Sequence, residues 1–99
     1  MSYTTNSVTA TGVTSQIKGK GFVAVVGEDG ASAWVGTVNL KWVDNYGNIH
    51  TGTDKDGAVV ELTKNNQAVS FSFGAEVTAY LECTAYTSGT IIMTFISQR

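Results

Sequence analysis

Hydrophobic and polar positions alternate with a period of two along much of this chain, most clearly over Ala75–Tyr86. Val77, Ala79, Leu81, Cys83 and Ala85 fall on one side, and Glu76, Thr78, Tyr80, Glu82, Thr84 and Tyr86 on the other. Successive side chains of a strand point to opposite faces, so this run predicts a half-buried strand. Thr87-Ser88-Gly89 follows, and its glycine supplies the left-handed backbone of a tight return. Thr90–Ile96 is therefore expected to come back as the second strand of a β-hairpin. A two-residue loop would place Met93 and Phe95 on the charged face. A loop one residue longer, with a bulge, pairs Cys83 with Phe95, Ala85 with Met93 and Thr84 with Thr94, so that the apolar faces coincide. In that register Tyr80, Tyr86, Ile92 and Ile96 share the outer face as a contiguous apolar patch. They are the expected interface for a partner or a second copy.

The rest of the chain follows the same grammar. Val8, Ala10 and Gly12 alternate weakly with polar neighbours, and Lys18-Gly19-Lys20-Gly21 reads as a turn. Residues 1–20 are accordingly expected to form an edge strand or an arm that orders on a neighbour. Phe22–Val26 is continuously apolar and suits a strand covered on both faces. Trp34–Val43 alternates, with Trp34, Val38, Leu40 and Trp42 on one side. Asp-Gly pairs and Asn-rich stretches are expected to turn the chain at Glu28–Gly30, Asp44–Asn48, Asp54–Gly57 and Lys64–Gln67. Strands are expected at Asn48–Thr53, Ala58–Thr63 and Val69–Phe73. The pattern predicts about eight short strands and no helix, an all-β antiparallel β-sandwich of jelly-roll or immunoglobulin-like type, with residues 21–99 as the domain. Trp34, Val38, Leu40, Trp42, Phe71, Phe73, Leu81 and Cys83 are its expected core.

Composition narrows the function classes. The 99 residues suit one domain. Only 14% are charged and the net charge is −2, so the basic footprint of a nucleic-acid binder is missing. No apolar run approaches the roughly twenty residues of a membrane span. Met1–Asn6 has neither the basic nor the apolar part of a secretory signal, so the chain is expected to be made in a cytoplasm and to stay there or leave by a route other than secretion. The single cysteine rules out an intrachain disulfide framework.

Candidate chemistry is sparse. Asp54-Lys55-Asp56-Gly57 has the opening of a calcium loop but not its later ligands, so a turn is expected and no metal. His50 is the only histidine and could pair only with Cys83, which lies on the apolar side of its strand and there behaves as a small hydrophobe. No nucleophile–base–orienter set can be assembled, so no enzyme and no cofactor are expected. Trp34 and Trp42 share the core side. Tyr46, at a turn, is the better candidate for a glycan contact.

Three stretches together resemble small virion proteins of tailed bacteriophages. They are Gly36-Thr37-Val38-Asn39-Leu40-Lys41-Trp42 with its polar turn, Gly57–Thr63 followed by Val69-Ser70-Phe71, and Ala79–Thr84 running through Thr87-Ser88-Gly89 into the apolar last strand. The resemblance spans residues 21–96. It implies a non-enzymatic decoration, head-fibre or tail-associated module, assembled in the host cytoplasm and located in the virion. It also implies a homo-oligomer, a trimer, in contact with other virion proteins. The alternative is a carbohydrate-binding β-sandwich module for host attachment.

Overall fold

The computed structural model describes residues 2–28, 34–54, 56–63 and 67–97. The turns expected at Asp29–Gly30 and Lys64–Asn66 lie outside these residues, as does Lys55 of the Asp54–Gly57 turn. Eight strands follow in chain order: β1 (Ser2–Val8), β2 (Gly12–Val13), β3 (Ile17–Glu28), β4 (Val35–Val43), β5 (Ile49–Thr51), β6 (Glu61–Leu62), β7 (Gln67–Ser88) and β8 (Ile91–Ser97). They form one antiparallel sheet in the order β1-β8-β3-β7-β4-β5, with β2 against β7 and β6 against β4. The all-β expectation holds.

The sheet turns back on itself at a corner in β3 and β7. Gly19 pairs with Val77 and Gly21 with Ser72, so Phe73–Glu76 lie opposite Lys20 alone. Unequal lengths between paired strands bend the sheet and sharpen its twist. Before the corner, the start of β7 joins β3, β8 and β1 in one arm. After it, Val77–Ser88 joins β4, with β5 and β6 beyond β4 and β2 on the opposite side, in a second arm. The arms face one another in a sandwich-like arrangement. A Cβ on Gly36 of β4 would lie 3.2 Å from Ile91 Cδ1 of β8, and one on Gly52 would lie 3.0 Å from Phe71 Cε2 of β7.

The core lies between the arms. Phe22, Ala24 and Val26 of β3 and Ile91, Met93 and Phe95 of β8 meet Val38, Leu40, Leu62, Ala79, Leu81 and Cys83 of the other arm, all fully buried. Phe22 and Phe95 stack at 4.8 Å between ring centroids. Of the expected core, Trp34, Val38, Leu40, Phe71, Leu81 and Cys83 are buried, while Trp42 and Phe73 are partly covered against it. Phe22–Val26 is covered on one face only, since Val23 and Val25 are half-exposed.

Two expectations need correction. β7 and β8 do not form a hairpin. β8 pairs with β1 and β3, and the second half of β7 pairs with β4, so Gly89 (φ 86°) carries the chain from one arm to the other. Alternation decides which face a side chain takes but not which strand lies beside it, and a short Gly-containing link serves a crossing as well as a return. Lys18–Gly21 is also no turn. It belongs to the twelve-residue β3, and the boundary drawn after residue 20 falls inside that strand.

Candidate functional site

The arm built from β1, β8, β3 and the start of β7 presents an outer face whose lateral rows can be read from the register. One row runs Tyr3–Ile96–Val23–Ser70, the next Thr5–Thr94–Val25–Ala68, the next Ser7–Ile92–Gly27. None of these residues is charged. The row geometry follows from pairing alone, because residues directly opposite in an antiparallel ladder project to the same face. Ile92, Ile96, Val23 and Val25 are half-buried, and Tyr3 is 73% exposed. Thr5 and Thr94 approach to 3.3 Å through their hydroxyls.

The outer face of the other arm differs in kind. Tyr80 stands opposite Lys41, whose ammonium donates to Thr51 Oγ1 at 2.7 Å. Glu82 is opposite Asn39, and Glu61 opposite Asn39 on its other side. Burial and then the charge of Glu82 raise the Tyr80 hydroxyl above its ordinary range. Tyr86 donates its hydroxyl to the Gly89 carbonyl and so fastens the crossing between arms. The four residues expected as one patch are therefore split. Ile92 and Ile96 sit together on the uncharged face, and Tyr80 and Tyr86 belong to the charged arm. Tyr3, Val23 and Val25 replace them. Ser2–Val8 is uncharged but does not alternate, so nothing in its sequence signalled Tyr3 or its pairing with β8.

Tyr46 lies at the tip of the β4–β5 hairpin and is 91% exposed. The hairpin is organised by Asp44, whose Oδ1 accepts the N–H groups of Tyr46 and Asn48, each at 2.9 Å. Its Oδ2 lies 2.8 Å from His50 Nε2. The His50 hydrogen bond, followed by that from Asn48, lowers the Asp44 carboxyl to about 2. The imidazole stacks on Trp42 at 4.4 Å. Asp54 repeats the device ten positions on: its Oδ1 accepts from Asp56 and Ala58 at 2.9 and 3.0 Å, and Gly57, like Gly47, takes a positive φ. Both Asp-led loops thus spend a carboxylate oxygen on their own backbone, as turn-forming aspartates do. Among the described residues no group of three or more His, Cys, Asp or Glu side chains comes together.

The structure does not unite His50 with Cys83. His50 pairs with Trp42 at one end of β4, while Cys83 pairs with Val38 further along it. The thiol is buried, which pushes its pKa up. A cleft of about 520 Å³ opens between Gly52–Asp54 with Val60 and the start of β7, lined by Trp42, Phe71 and Phe73. The chain matches no protein-family model, no curated protein and no solved structure.

Proposed function

We propose that this chain is a non-enzymatic structural subunit of a tailed-phage virion, a head-decoration, head-fibre or tail-associated component. It acts by assembling with copies of itself and with other virion proteins, and needs no cofactor, nucleic acid or membrane. The observation that carries the assembly part is the uncharged outer face around Ile92, Ile96, Val23 and Val25. Exposed apolar surface that spans several strands is characteristic of contact sites, and none of the described residues in its rows carries a charge to oppose close approach. The virion assignment rests on the resemblance of residues 21–96, as does the trimer. Sedimentation of purified particles tests it. The protein is expected to pellet with the particles of the phage that encodes it, and recovery wholly in the particle-free lysate would overturn the assignment.

Tyr46 supports a second reading. A tyrosine ring 91% exposed at a hairpin tip is a suitable contact for a sugar. A glycan array on which binding is lost with Tyr46→Ala would favour an attachment module.

A further inference from the structure

The cleft beneath Gly52 and Val60 combines inclined aromatic walls with a single ionisable group. It opens where the first half of β7, paired with β3 on one side, has no strand on the other among the described residues. Its volume of about 520 Å³ is that of a small-molecule site. Phe71 and Phe73 line it from β7 and Trp42 from β4. Ser70 and Ser72 alternate with the phenylalanines and fall on the outer face, so they only border it. The Phe73 ring stands 5.5 Å from Trp42 at 58°, and His50 stacks on Trp42 at 4.4 Å. The rings thus meet at an angle, and the tryptophan has one face already taken, which does not make the flat open platform on which a sugar ring stacks. Asp54 is the only ionisable residue in the lining, and it is exposed at the rim. Its Oδ1 is engaged by the N–H groups of Asp56 and Ala58, which leaves the second oxygen outside the hydrogen bonds of the loop.

We propose that this cleft binds a small quaternary ammonium cation of the choline type. Aromatic rings attract a cation through their quadrupole, more strongly where water is excluded, and a carboxylate at the rim adds a full opposite charge. No lining residue carries a positive charge to repel it. A primary ammonium brings three N–H donors and a guanidinium five, and each needs an acceptor on burial. A quaternary head has none to satisfy, which suits walls of aromatic and aliphatic groups. The site lies apart from the uncharged outer face and is an activity beside assembly.

The test is a titration of the full chain with choline chloride, followed by the indole N–H signals of its two tryptophans in NMR. The Trp42 signal is expected to shift. Trp34, 4% exposed and ahead of the opposite end of β4, is the internal control. Dimethylbutanol, the neutral carbon isostere of choline, is expected to bind about ten-fold more weakly. Asp54→Asn keeps Oδ1 as an acceptor for Asp56 and Ala58, so the loop is retained, and should weaken choline about three- to five-fold. Phe73→Leu removes one ring wall and should weaken choline while leaving the alcohol unaffected. Equal binding of the two compounds, or choline binding indifferent to either substitution, overturns the cation site. So does a Trp42 signal that choline does not move, and a signal that moves with glucose instead makes the cleft a sugar site. None of these results bears on self-assembly, which light scattering reads separately.

Discussion

Thr14 stands at the point where the short β2 ladder gives out, and replacing it with valine removes one hydroxyl without changing shape. Gly12 and Val13 pair with Cys83 and Glu82, and Thr14 extends this contact by donating its N–H to the Leu81 carbonyl at 2.9 Å. Its hydroxyl accepts the Leu81 N–H at 3.0 Å and donates to the Ser15 carbonyl at 3.1 Å. Thr14 is 4% exposed and Leu81 0%, so water does not substitute for the lost oxygen. Thr14→Val leaves the Leu81 N–H buried and unpaired, which costs about 1–3 kcal/mol. Thr14→Ser keeps the oxygen and loses only a methyl, about 1 kcal/mol. For a chain of this size the larger loss lowers a urea midpoint by about 1–2 M with the slope unchanged. Urea unfolding followed by tryptophan fluorescence reports both variants. A midpoint for Thr14→Val equal to the native one, or equal to that of Thr14→Ser, would refute this account of how β2 is held.

Gly52 and Gly74 are two glycines at which substitution should have opposite effects. A Cβ at Gly52 would lie 2.9 Å from Leu40 Cδ2 and 3.0 Å from Phe71 Cε2, and Leu40 is fully buried, so Gly52→Ala is expected to cost about 1–3 kcal/mol. A Cβ at Gly74 meets nothing within 4 Å, and Gly74→Ala should be neutral or stabilising by up to about 1 kcal/mol in thermal melts. Asp44 makes the fold pH-sensitive at the acid end. Its carboxyl titrates at about 2 in the folded protein against 3.8 ordinarily, so its contribution is present above pH 3.8 and is lost as pH falls through 2. Asp44→Asn should flatten that part of a stability–pH profile, and an unchanged acid slope would show that the His50 contact carries nothing.

The parts of this fold that depend on neighbours in sequence were legible. The loops at Asp44–Asn48 and Asp54–Gly57 are built from their own aspartate and glycine, so residue type reveals them. β4 was expected to end at Val43, as it does, because its alternation stops at Asp44. Gly19 shows what was not legible. Two glycines between lysines read as a turn, yet Gly19 lies in β3 because its missing Cβ leaves room for the Ser97 side chain, which donates to the Lys18 carbonyl at 2.9 Å. That requirement comes from Ser97, 79 positions from Lys18, and has no local trace. The same holds for β8. Its alternation put Met93 and Phe95 on the apolar side and Ile92 and Ile96 on the outside, which the burial pattern reproduces. Its lateral partners, β1 and β3, are long-range choices. The uncharged outer face was therefore half legible: Ile92 and Ile96 were placed on it, while Tyr3, Val23 and Val25 joined them only through those pairings.

Light scattering of the native protein beside Ile96→Lys tests the central claim, that the uncharged face is a contact surface. Ile96 is half-buried between Tyr3 and Val23, and from there a lysine reaches solvent in the free subunit, so the fold should survive with an unaltered far-ultraviolet circular dichroism spectrum. In an assembly the same ammonium would be buried unpaired, at a cost of several kcal/mol. The account predicts a native mass that is a multiple of 10.5 kDa and a folded Ile96→Lys variant of lower mass, with Tyr80→Lys on the other arm leaving the mass unchanged. A native protein of 10.5 kDa at every concentration, or an Ile96→Lys variant that is folded and keeps the native mass, would contradict it.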